Sequence, residues 1–190
     1  MDFLTKKLPD GVVIGSKFYP VHTDFRNWIK ISEILEGYEC SDSKRLAQIF
    51  SLCYKELPET VSEAVCGVYE FYNCGNKQKL KEEGGSRKKT RVFSFKEDGE
   101  LIYAAFLSQY GIDLTAENLH WYRFCALLSG LSGEHKLIKV IHYRSVKLSD
   151  IKAGAERNHI LNMKKLYMLS DGRSEEEKSA DLAEEMSALF

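Results

Sequence analysis

Proline is scarce in this chain, with three in 190 residues. That scarcity disfavours a turn-rich β-sandwich and favours long uninterrupted helices. Neither acidic nor basic residues are in excess. The formal net charge is -1, so the chain as a whole has no electrostatic pull toward nucleic acid or an anionic membrane. No apolar run approaches the roughly 20 residues that span a bilayer. The opening "MDFLTKKLPDG" has no apolar signal-peptide core, so the protein is expected in the cytosol where it is made. Five cysteines (Cys40, Cys53, Cys66, Cys74 and Cys125) are an odd number without a C-x-x-C pair. This argues against a disulfide framework and for buried free thiols.

Signatures of common chemistry are also absent. There is no phosphate-cradling G-x-x-x-x-G-K-[ST], no G-x-G-x-x-G, no H-E-x-x-H and no G-x-S-x-G. The nearest miss, "SGLSGEH" from Ser129 to His135, lacks the second glycine at the right offset. No catalytic residue and no cofactor is therefore expected. His135 and His142 are seven apart and can share a helix face, but a tetrahedral site needs three or four ligands and no third shows typical spacing.

What is present is a globular composition, 44% hydrophobic and 29% charged, with enough aromatics (12%) for a substantial core. In "GVVIGSKFYPVHT", Val12 to Ile14 and Phe18 to Val21 flank Gly15-Ser16, which suits a type II′ hairpin turn. A lone hairpin is marginal and must pack on something else. Helical signals dominate after it. Thr23 or Asp24 caps "FRNWIKISEIL", which carries Trp28 and stops before Gly37. "SKRLAQIFSLCYKEL" is expected to run as a helix until Pro58 stops it. Thr60-x-x-Glu63 is a capping box for the next helix, which ends before Gly75. Ser94-x-x-Glu97, or Asp98 if Gly99 disturbs the first turn, begins another that stops at Gly111. "EHKLIKVIHYRSV" and a long polar helix, "SDIKAGAERNHILNMKKLYML", follow.

Two segments differ from the rest. Residues 75–91 hold seven basic residues against two acidic, three glycines and no aromatic, which reads as a solvated loop. Clustered cations there can touch phosphates, but nothing is interleaved for base stacking. After Asp171-Gly172, "SEEEKSADLAEEMSALF" places Leu182, Met186 and Leu189 at i, i+4 and i+7 on an acidic helix. That narrow stripe is the candidate partner-binding surface. The expected organisation is one helical domain over 1–171, with the N-terminal hairpin and the basic loop, followed by an amphipathic helix over 172–190. The expected fold class is mainly α.

The cluster in "GIDLTAENLHWYRFCALLSGL" invites a reactive reading of His120 and Cys125. On one helix, a five-residue offset turns them about 140° apart, which separates a nucleophile from its base. With Thr115 as cap, Leu119, Trp121, Tyr122, Phe124, Cys125, Ala126, Leu127 and Leu128 cover most of the circumference of an expected central helix buried on nearly all sides. Glu117, His120 and Arg123 then form a polar strip, and a buried Arg123 would need a carboxylate partner.

Five phrases in fixed order carry a resemblance: "FRNWIKISEIL", "FYNCG", "FSFKEDGELIYAAFLSQYGIDL", "LHWYRFCALLSGL" and "YRSVKLSDI". Over roughly Val12 to Leu169 the chain resembles the gene-product-fifteen family, small proteins of phages and prophages of Gram-positive bacteria. Tyr122 stands where relatives look to carry Trp. The resemblance implies a role in tail assembly, in the host cytoplasm, as a chaperone that keeps the tape-measure protein soluble before the tail tube polymerises. It supplies no catalytic residue. The alternatives are a structural minor tail protein that stays in the virion and, on the basic loop alone, a nucleic-acid-binding regulator.

Overall fold

The computed structural model describes residues 4–36, 42–76 and 91–170. In chain order the elements are β1 (Gly11–Ile14), β2 (Lys17–Pro20), α1 (Phe25–Glu36), α2 (Asp42–Cys53) and α3 (Val61–Tyr72). They continue with α4 (Gly99–Tyr110), α5 (Trp121–Ser129), α6 (Lys136–Ser145), a 3-10 turn (Leu148–Asp150) and α7 (Ala155–Leu166). The protein is mainly α, with a two-stranded antiparallel hairpin. None of these helices is long and apolar enough to cross a membrane. The basic residues expected in a loop lie largely outside the described residues, as does the whole of 172–190 with Leu182, Met186 and Leu189.

Where the sequence reads as one body over 1–171, the contacts divide the chain into two compact units. The first is Met1–Arg87 with Ile112–Gly130, and the second is Lys88–Gly111 with Leu131–Phe190.

In the first unit the hairpin closes at Ile14↔Lys17 around Gly15, whose φ of 60° needs no Cβ to be avoided. It docks on α3, where Gly67 leaves room. A Cβ there would lie 2.2 Å from Tyr54 Oη, 3.1 Å from Val12 and 3.2 Å from Ile14. The strand side also decides where α2 ends. Tyr54 bridges Val21, the His22 N–H donates to the Cys53 carbonyl (2.7 Å), and the Lys55 N–H donates to the Pro20 carbonyl (3.0 Å). The helix expected to run to Pro58 therefore stops at Cys53, because hydrogen bonds to a distant segment replace its own ladder.

The core of this unit is an aromatic stack. Trp28 lies 4.7 Å from Phe71 and 6.2 Å from Trp121, and Phe124 lies 4.7 Å from Phe25 and 5.8 Å from Trp121, all near parallel. Both indole N–H groups are satisfied, Trp28 by the His22 carbonyl (2.7 Å) and Trp121 by the Tyr72 carbonyl (3.0 Å). Buried Trp needs such partners, and they fix which way each ring faces. Asp24 is the cap of α1, its carboxylate accepting from the Arg26 N–H (2.9 Å).

The expected long central helix is shorter than its apolar pattern suggests. Thr115 does not cap it, because its N–H and hydroxyl both turn to the Asp113 carboxylate (2.8 and 2.6 Å). Residues 112–120 form a turn-rich approach, clamped by the Arg26 guanidinium on the Leu114 and Glu117 carbonyls (2.7 and 2.8 Å). The helix starts only at Trp121. Glu117 and His120 thus share no helical face with Arg123. Arg123, Ala126 and Ser129 are exposed, so α5 is buried on one face rather than all round, and Arg123 needs no buried carboxylate.

In the second unit Asp98 takes the N-cap position of α4, but its carboxylate does not cap the helix. Ser94 instead caps the turn before it, accepting from the Glu97 N–H (3.2 Å). Asp98 accepts from the Ser94 N–H (3.0 Å) and from Arg144 of α6. Gly111 ends α4 in the left-handed region at φ 66°, its N–H donating to the Leu107 carbonyl (3.0 Å). The long polar helix expected from Ser149 is broken. A 3-10 turn and Gly154, at φ 153°, precede α7, which starts at Ala155. The Lys164 ammonium satisfies the Val146 carbonyl (2.7 Å) at the end of α6.

Candidate interaction groove

The turn from α2 to α3 makes a groove. Pro58 in that turn is buried, while apolar residues on either side of it face solvent. Leu57 is 57% exposed and Val61, the first residue of α3, is 61% exposed. With Leu46, Ala47 and Phe50 of α2 and the ring of Tyr54, they line a trough of about 560 Å³. Solvent-exposed apolar side chains that share a concavity, rather than standing singly, mark a surface made for contact.

The floor is rigid. The Tyr54 hydroxyl donates to the Ala64 carbonyl of α3 (2.7 Å), tying the two sides together. Burial holds this phenol well above its usual range, so it stays neutral. Beneath it, burial pushes the Cys53 thiol up to about 12, which leaves it an inert packing group. The α3 side is fixed by its cap. Thr60 Oγ1 accepts from the Glu63 N–H (3.4 Å) and its hydroxyl donates to the Glu63 carboxylate (2.8 Å). This is the capping-box pair with the side chains bonded to each other.

Charged groups of both signs stand beside the trough, with Glu56 and Glu59 exposed in the turn. Lys55 is the charged side chain in the lining, and Lys44 stands beside lining Ser43 on α2. Neither ammonium forms an ion pair among the described residues. The carboxylate of Glu56 in the turn is already engaged by Lys17 (3.0 Å). That pair raises the Lys17 pKa, chiefly through Glu56 and more weakly through Tyr19 and Glu59.

The His120 cluster is structural. His120 Nδ1 accepts from the Tyr122 N–H (3.0 Å), which makes His120 the cap of α5. Its Nε2 lies 2.9 Å from the Pro9 carbonyl. An accepting Nδ1 leaves Nε2 as the donor, so both ring nitrogens are used and the ring is neutral. Burial first lowers its pKa, opposed by the Pro9 carbonyl and Asp10. His120 precedes the helix that carries Cys125, so the two share no helical frame. His135 stands at the N-cap position of α6 without a side-chain cap bond, its Nε2 2.8 Å from Gln109 Oε1, while His142 is exposed farther along the helix. Among the described residues no group of three His, Cys, Asp or Glu is arranged to hold a metal ion.

Of the aromatic and leucine positions singled out in the sequence, Trp28, Leu119, Trp121, Tyr122 and Phe124 are buried together in the first unit, and Leu128 is half-buried. The stripe of Leu182, Met186 and Leu189 lies outside the described residues. Apolar periodicity does not reveal the groove. Its sequence signal is Leu57 and Val61, apolar residues on either side of Pro58, between two helices instead of on the inward face of one.

No curated protein sequence and no solved structure matches the chain. The family model described as Bacteriophage Gp15 protein matches residues 4–169, and the chain belongs to that family.

Proposed function

We propose that this phage protein acts in tail assembly, as a chaperone whose α2–α3 groove covers apolar helical stripes of the tape-measure protein until the tail tube encloses them. The observation that carries the reading is the pair Leu57 and Val61, both more than half exposed at the mouth of a rigid apolar trough. Family membership supplies the phage context. A long helical rod with unpaired apolar stripes aggregates unless they are masked. A shallow groove binds one helix weakly, and many copies along a rod hold it by avidity while each copy leaves as tube subunits add. The reading needs no catalytic group and no cofactor. It places the protein in the host cytoplasm during assembly and outside the finished virion.

Co-expression with the tape-measure protein tests it. The soluble fraction of that protein should rise with the wild-type chain and fall back with Val61→Glu. Equal solubility with and without the chain would reject the proposal. Detection of the chain in purified virions by mass spectrometry would favour a structural tail protein instead.

A further inference from the structure

We propose that the occupant of the α2–α3 groove is an acidic amphipathic helix, its apolar stripe in the trough and its carboxylates turned to Lys44 and Lys55. The inference rests on the groove being the docking surface of the proposed function, and it names the chemistry of what docks there.

The charge pattern selects the occupant. Among the described residues the lining contains no carboxylate, and its charged side chain is Lys55. In the adjoining turn Glu56 is engaged by Lys17 at 3.0 Å, and exposed Glu59 acts on the same ammonium. Lys44 and Lys55 are left without anionic partners among the described residues. Ser43 in the first turn of α2 and Lys55 just past the end of α2 at Cys53 both line the trough, and Lys44 adjoins Ser43, so a cation stands near each end of the α2 wall. A helix laid along α2 with carboxylates on that side meets both. A basic helix meets like charge at both ends. Exposed pairs of this kind add little affinity each, but they set orientation and reject the wrong partner. Burial of Leu46, Phe50, Leu57 and Val61 against the stripe supplies the affinity.

The test uses two labelled peptides and fluorescence anisotropy at low salt. One is "SEEEKSADLAEEMSALF", which has Leu182, Met186 and Leu189 at i, i+4 and i+7 and six acidic residues against one basic. The other has the same apolar residues with each Asp and Glu replaced by Lys. The protein is the full chain carrying Leu182→Glu and Met186→Glu, so that its own copy of the stripe does not compete. The acidic peptide should bind at least tenfold more tightly than the basic one. Val61→Glu should abolish that binding, and Lys44→Glu with Lys55→Glu should reverse the preference. Equal binding of the two peptides, no binding of either, or binding that survives Val61→Glu would overturn the inference. If the chain keeps the tape-measure protein soluble while showing no preference for the acidic peptide, the inference falls and the proposed function stands.

Discussion

Arg144 and Asp98 form a two-pronged buried ion pair, Nη1 to Oδ2 at 2.7 Å and Nη2 to Oδ1 at 3.0 Å. Their side chains are 9% and 2% exposed. The guanidinium also donates from Nε to the Tyr167 carbonyl, at the end of α7, and from Nη1 to the Val92 carbonyl (3.3 Å). One arginine thus closes the ends of α4, α6 and α7 on each other. At this depth the remaining donors and acceptors must be satisfied for the pair to be tolerated, and here they are.

Removing one partner should therefore be costly. Asp98→Ala strands the guanidinium and frees the Ser94 N–H, and the expected loss is about 3–5 kcal/mol. Urea unfolding followed by circular dichroism measures it. A loss below about 1 kcal/mol would show that solvent reaches the pair.

His120 should make stability fall in mild acid. Its folded pKa lies below the ordinary value of 6.5. The unfolded chain therefore binds the proton first as pH drops. The contribution of the neutral ring is fully present above about pH 6.5 and is lost as pH falls toward the folded pKa. The slope is at most about 1.4 kcal/mol per pH unit for one proton. His120→Asn keeps a cap acceptor without titrating. Urea midpoints between pH 5 and 8 should slope for the wild type in this window and flatten in the variant. Parallel profiles would remove His120 as the cause.

Gly67→Ala should destabilise the first unit although alanine favours helix. The gain in propensity is about 1 kcal/mol. Against it, the new Cβ would meet Tyr54 Oη at 2.2 Å, and that hydroxyl is held by the Ala64 carbonyl. Overpacking of this kind costs about 1–3 kcal/mol. A lower thermal midpoint checks the sign, and a raised one would mean that the hairpin moves freely off α3.

Around the groove, the cap and the first helical residue should behave oppositely. Thr60→Ala removes the acceptor of the Glu63 N–H and should cost about 1 kcal/mol. Val61→Glu sits exposed in the first turn of α3, where a carboxylate suits the helix dipole, and should change stability by less than about 0.5 kcal/mol. Denaturant midpoints for both variants check this. A Val61→Glu chain that unfolds early would mean that Val61 belongs to the core.

Local signals were legible where their partners are close in sequence. Gly15-Ser16 closes the hairpin, Thr60 and Glu63 start α3, and Gly111 ends α4, each through contacts within four residues. The apolar spacing around Trp28 and Trp121 pointed to a mainly α protein with an aromatic core. The groove was not legible in the same way, because periodicity tells which face of a helix is apolar and not which apolar residues are left uncovered.

Short-range hydrogen bonding and hydrophobic period are enough to give the class of fold, the caps at Asp24, Thr60 and Gly111, the turn of the hairpin and the family fingerprint. Only the tertiary structure decided that α2 stops at Cys53, that α5 waits until Trp121, that Arg144 finds Asp98, and that Leu57 and Val61 stay open to solvent. The first three outcomes depend on a backbone or charged group satisfied by a residue distant in the chain, Pro20, Thr23 and Asp98, and the fourth on which apolar residues the packed elements leave uncovered. A buried polar group takes whichever partner the fold brings within reach, and a one-dimensional pattern does not record which that is.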